Sequence, residues 1–223
     1  GTVTRKHGVL FFTDATQAVG KIPVDITRDN VDLLALSAHK LYGPKGVGAL
    51  YVRRRGPRVK LSAQLHGGGH ERDMRSGTLN VPGIVGLGRA CELSQAEMAQ
   101  DGERLGRFRN NLEGNLLLQT ESSFINGSTG SRLPHVSNMG FAGVDSEGLL
   151  MGINKEIAVS SGSACTSASL EPSYVLRALG LGDEVARSSL RFSVGRFTTE
   201  EEIDYTIRKV AETVKALREL SFS

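Results

Sequence analysis

The sequence predicts an α/β fold in which a parallel-sheet portion is followed by a smaller α+β portion. Two observations carry this. The first third alternates short apolar runs with polar connections, and a long helical periodicity then separates it from a mixed strand and helix pattern.

Gly8–Asp14 and Val31–Ser37 are continuous apolar runs of strand length, each ending in a polar residue. Such runs fit parallel strands covered on both faces. The stretch Ala15–Asn30 between them is long enough for a short crossover. Tyr42–Gly46 reads as a turn, and Val47–Val52 as a third strand. A glycine-rich loop, Gly67-Gly68-Gly69-His70-Glu71-Arg72, follows.

From about Val81, Leu87, Ala90, Cys91, Met98, Leu105, Phe108, Leu112 and Leu116 recur at helical spacing, to about Leu118. This predicts a long helix bridging two domains, with residues 1–96 in the first and 97–223 in the second. In the second, Val136–Phe141, Ile157–Ser160 and Ser189–Val194 read as strands. A helix should start near Pro172 and stop at Gly180. Thr199 and Glu202 form a capping box for a last helix, and Glu200 to Glu202 suit its positive end. Ile203, Ile207, Val210, Val214, Leu217 and Leu220 give that helix one apolar stripe.

Composition excludes several classes. The chain has 223 residues, 39% of them hydrophobic, with 27 basic and 24 acidic residues for a net charge of +3. That balance is ordinary for a globular protein and gives no reason to expect a nucleic-acid partner. Arg53, Arg54 and Arg55 form the only tight basic run, expected as a solvated strand end. Two cysteines in different contexts make no disulfide framework, so a reducing compartment is expected. No stretch of 18 apolar residues marks a membrane span. Gly1 to His7 runs into a strand-like segment with no initiating Met, which reads as the boundary of a piece of a longer protein.

The chemistry begins at Lys40, which follows Ser37-Ala38-His39 at a strand end. In open α/β sheets ligands sit beyond the carboxyl ends of strands, and a lysine there can condense with an aldehyde cofactor. Ser37 and His39 are suitable donors to a phosphate. Asp14 also ends a strand, 26 residues before Lys40, the length of a strand–crossover–strand unit. A pyridine nitrogen needs such a carboxylate to stay protonated, and Gln17 could reach a phenolic oxygen on the same ring. Arg75-Ser76-Gly77-Thr78 offers further phosphate donors. Arg191, on a strand, suits a substrate carboxylate.

Cys165 lies among small residues, Ser160 to Ser169, which cannot build a core. That context suits a flexible loop carrying a thiol from one place to another. Cys91, on the apolar side of the long helix, reads as core. His66 and His70 are separated by three glycines, and no further ligand set completes a metal site.

Four segments together resemble the group I, housekeeping cysteine desulfurases: Ser37–Gly46, Gly67–Thr78, Ser160–Tyr174 and Arg191–Thr199. The likeness covers nearly the whole chain. It implies a pyridoxal-phosphate type I fold, a homodimer, and conversion of L-cysteine to L-alanine with a persulfide on the enzyme. It implies that Cys165, Lys40 and His39 carry the chemistry. Asp14, Gln17, Ser37, His39 and Lys40 would hold pyridoxal 5'-phosphate. Thr78 would reach the neighbouring subunit's phosphate, and Arg191 would hold the cysteine carboxylate. The implied partners are an iron–sulfur scaffold protein, through which Cys165 would touch a cluster transiently, and tRNA-thiolation proteins. The implied location is the bacterial cytoplasm, or the mitochondrial matrix in a eukaryote. The chain departs from the pattern at Ala38 and Asp73, where glycine is usual, and it lacks the family's N-terminal segment and C-terminal tail. Two other readings stay open: another type I enzyme, such as a selenocysteine lyase or aminotransferase, and an inert interaction module.

Overall fold

The computed structural model describes residues 1–161 and 172–221. The chain divides into two compact units, Gly1–Gln100 and Asp101–Ser223.

The first unit opens with a short helix, α1 (Thr2–Lys6), which lies where the sequence suggested only a lead into a strand. A three-stranded sheet follows: β1 (Phe12–Asp14), β2 (Leu33–Ser37) and β3 (Gly48–Val52). β1 and β2 pair in parallel, with Asp14 opposite Ala35. β3 returns antiparallel, with Ser37 opposite Gly48. The sheet is therefore mixed, because a turn of six residues after the Leu41 region is too short for a parallel crossover. Nor is it covered on both faces within this unit: Phe12 is 57% and Leu50 51% exposed. Ala15, Val31 and Leu34 form one small core on it, supported by Phe11, Val19 and Tyr51.

Arg53, expected as a solvated strand end, is instead folded inward. Its Nε lies 3.0 Å from Oδ1 of Asp32, which is 1% exposed. Its guanidinium also donates to the carbonyls of Ile26 and Val31 at 2.6 and 2.8 Å. Burying Asp32 demands such a partner, since an unpaired buried carboxylate is very costly. Arg54 and Arg55 are exposed.

The long helix α2 (Val81–Gln119) runs as the periodicity predicts, and the division between the units falls inside it. Cys91 is half-buried against a cluster of Ala38, Leu41, Leu87 and Ala90.

The second unit adds β4 (Ser123–Ile125) and β5 (Val136–Phe141), then α3 (Ser146–Ile153), capped by Asp145. Next come α4 (Tyr174–Ala178), α5 (Asp183–Arg187), β6 (Ser189–Ser193) and α6 (Glu200–Ser221). Its sheet order is β4-β5-β6, all antiparallel. The expected strand at Ile157–Ser160 shrinks to a single bridge between Ser160 and Arg191. Leu112, Leu116, Met139, Phe141, Leu149, Leu190, Phe192, Val210 and Val214 are among the residues of one core between sheet and helices. The capping box forms reciprocally: Thr199 N–H donates to Glu202 Oε2 at 2.9 Å, and Glu202 N–H to Thr199 Oγ1 at 3.3 Å. No helix among the described residues is long and apolar enough to cross a membrane.

Candidate functional site

Parallel pairing of β1 and β2 sends their carboxyl ends the same way. Asp14 is the last residue of β1 and Ser37 the last of β2. Ala15 N–H donates to Ala35 O at 2.9 Å, continuing the ladder past Asp14. Lys40 lies just beyond Ser37, in a 3-10 turn over Ala38–Leu41. In such a turn residues three apart share a face. Ala38 and Leu41 are buried at 0% and 2%, so His39 and Lys40 are turned to the exposed side. Tyr42 closes the turn with φ 64°, and Gly43 N–H donates to Ala38 O at 2.9 Å. A Cβ on Gly43 would lie 3.0 Å from that oxygen, so glycine suits the closure.

Four of the expected residues thus meet at one sheet end: Asp14, Ser37, His39 and Lys40. Ser37 Oγ lies 2.8 Å from His39 Nδ1. In the tautomer carrying Nδ1–H, the serine hydroxyl keeps its hydrogen for an anion. Asp14 accepts from Thr16 N–H at 2.9 Å. The Thr16 hydroxyl and then its N–H hold the Asp14 carboxyl below its usual pKa, which keeps it ionised. An ionised carboxylate at a strand end is the group that a pyridinium nitrogen pairs with. Gln17 is exposed just beyond, in the turn that follows β1.

Lys21, which no sequence motif marks, also reaches this group. Its Nζ donates to Lys40 O at 2.6 Å. Burial, and then the charge of Lys40, pushes its pKa below the ordinary lysine value. Nothing in the spacing of the crossover marks it, because the contact exists only once the crossover folds back.

Thr78 is exposed in the loop ahead of α2. Gly77 N–H donates to His70 Nδ1 at 3.3 Å, and Ser76 N–H to Leu65 O at 3.1 Å, so the glycine loop and this segment hold each other. Asp73, where glycine was expected, has φ 64°, in the left-handed region that favours glycine.

Arg191 belongs to the second unit. Leu190 and Phe192 on either side enter the core, so strand alternation puts Arg191 on the opposite face. It is half-buried, and its guanidinium makes no hydrogen bond or ion pair among the described residues. Cys165 lies outside the described residues. Among the described residues no three histidine, cysteine or acidic side chains gather to hold a metal ion.

A mixed α/β chain with lysine and carboxylate at adjacent strand ends has the form of a pyridoxal-phosphate enzyme, and the chain belongs to the aminotransferase class-V family, whose model matches residues 1–206. Enzymes of that family depend on pyridoxal phosphate. More particularly, it is 58% identical over 221 residues to "Cysteine desulfurase IscS" of Anaeromyxobacter sp., covering 99% of this chain and 54% of that protein. It superposes on a solved "NIFS-LIKE PROTEIN" with a TM-score of 0.84 at 34% identity, over 96% of this chain and 55% of the other. It is also similar to "SspA in complex with cysteine", with a TM-score of 0.67 at 35% identity, over 89% of this chain and 54% of that one. The chain spans about half the length of the relatives it matches.

Proposed function

We propose that this chain is part of a cysteine desulfurase that takes sulfur from L-cysteine and releases L-alanine. The observation that carries the reading is the convergence of Asp14, Ser37, His39 and Lys40 at the carboxyl end of β1 and β2. The similar proteins named desulfurases support it, and one solved relative is described as holding cysteine.

In this reading Lys40 holds pyridoxal phosphate, Asp14 pairs with its ring nitrogen, and Gln17 reaches its phenolic oxygen. Ser37 and His39 bind the phosphate, and Thr78 reaches the phosphate bound by a second copy in a homodimer. The cofactor supplies an electron sink. Lys40 and His39 move protons at the substrate carbon, and Arg191 grips the substrate carboxylate with parallel hydrogen bonds. The Cys165 thiolate attacks the substrate sulfur. A sulfur–sulfur bond forms as the carbon–sulfur bond breaks, and the carbon keeps the electron pair and takes up a proton. The thiol is oxidised to a persulfide as that carbon is reduced to a methyl group, so no outside oxidant is needed. In this reading residues 1–96 belong to the cofactor-binding large domain, and 97–223 form the small domain that carries Cys165. The persulfide then serves an iron–sulfur scaffold and tRNA-thiolation proteins, in the cytoplasm of a bacterium.

Mixing the protein with pyridoxal phosphate should produce an absorbance band that Lys40→Ala abolishes. Cys165→Ser should keep the band and lose sulfur release. A band indifferent to Lys40→Ala would overturn the cofactor assignment, and undiminished sulfur release from Cys165→Ser would overturn the desulfurase reading.

A further inference from the structure

Arg191 has a cross-strand neighbour on its own face of the second sheet: Asn138 of β5. Directly opposed residues on one face have Cβ atoms about 4.5–5.5 Å apart. Met139 beside Asn138 is fully buried in the core, so Asn138, like Arg191, lies on the side away from it.

The orientation of the Asn138 amide follows from its neighbours. Asn126 Nδ2 lies 2.6 Å from Asn138 Oδ1 and 2.9 Å from Ser189 Oγ. Ser189 uses its single hydroxyl hydrogen on Val185 O at 2.7 Å, so it accepts at Asn126. The Asn126 group facing both is therefore its NH₂, and Asn138 must present its oxygen to it. The Asn138 NH₂ is then turned away from Asn126, half-buried and with no acceptor among the described residues. Two neighbouring side chains thus offer donors without acceptors, and no carboxylate among the described residues pairs with either.

We propose that Asn138 is a substrate-binding residue whose side-chain amide donates to the same α-amino-acid carboxylate that Arg191 grips. This rests on the reading of Arg191 given under Proposed function. A guanidinium alone fixes a carboxylate by its two oxygens. A third donor from an adjacent strand would set the carboxylate's rotation, and with it the direction in which the amino acid's side chain projects. Asn126 and Ser189 act as positioning residues, because they hold the amide in the donating orientation.

The test uses the pyridoxal-phosphate-loaded protein that carries this chain. Asn138→Asp keeps the acceptor toward Asn126 and replaces the donor with a negative charge. KM for L-cysteine should rise about 10- to 100-fold, as for loss of a hydrogen bond to a charged group, with kcat changed far less. A structural role would lower the melting temperature without that split. In the unsubstituted protein the Asn138 side-chain ¹⁵N resonance should shift saturably on titration with L-alanine, and the shift should vanish in Arg191→Leu. If Arg191→Leu leaves KM unchanged, the carboxylate grip itself is wrong. If Arg191→Leu raises KM while Asn138→Asp does not, or if the amide resonance ignores alanine, this inference alone is overturned.

Discussion

Ser160 and Arg191 exchange two backbone hydrogen bonds: Arg191 N–H donates to Ser160 O at 2.7 Å, and Ser160 N–H to Arg191 O at 3.3 Å. The residue assigned to the substrate carboxylate thus also anchors the chain five positions before Cys165. Ser160→Pro removes one donor of this pair. It should be about 1–3 kcal/mol less stable than Ser160→Ala, which keeps the backbone donor. Urea denaturation of the two variants measures the difference, and equal midpoints would show that the bridge contributes nothing.

Lys21 and Lys40 make a pH-dependent pair. The folded pKa of Lys21 is lowered by burial first and by the Lys40 charge second. At pH values below both its folded and unfolded pKa, Lys21 is charged in both states, and its charge is costly in the folded one. Between the lowered value and 10.5 the unfolded state binds more protons, so this contribution to stability improves as pH rises through that window. An NMR titration of Lys21 should give a midpoint below 10.5. Lys40→Met should raise that midpoint, and an unmoved midpoint would exclude Lys40 as a cause.

Glu113 and Arg132 form a bidentate pair, both contacts at 2.6 Å, with the Glu113 side chain 6% exposed. Arg132→Leu alone strands a buried carboxylate and should cost about 3–5 kcal/mol. The double variant Glu113→Leu with Arg132→Leu should recover most of that loss. Guanidinium denaturation separates the cases. A double variant as unstable as the single would mean that packing, not charge, holds this region.

Gly140 lies under the Phe124 ring, where an added Cβ would come within 2.3 Å of two ring carbons. Gly140→Ala should therefore cost about 1–3 kcal/mol through displaced packing. Phe124→Leu in the same chain should relieve part of it, which a double-mutant cycle on thermal unfolding would show as coupling.

Elements whose signals are local are legible in the amino-acid order alone. The period of Leu105, Leu112 and Leu116 specifies α2, Thr199 with Glu202 specifies the start of α6, and the run Val136–Phe141 specifies β5. It also named Asp14, Ser37, His39 and Lys40, because a strand followed by a polar terminus marks where a ligand would sit. Other features arise only when distant segments pack together. β3 turns back antiparallel, Arg53 folds onto buried Asp32, Lys21 caps the Lys40 carbonyl, and Asn126 orients Asn138 beside Arg191. These four share one cause. A hydrogen bond or ion pair between residues distant in the chain depends on register and burial, and neither is written in the local pattern from which periodicity and capping are read.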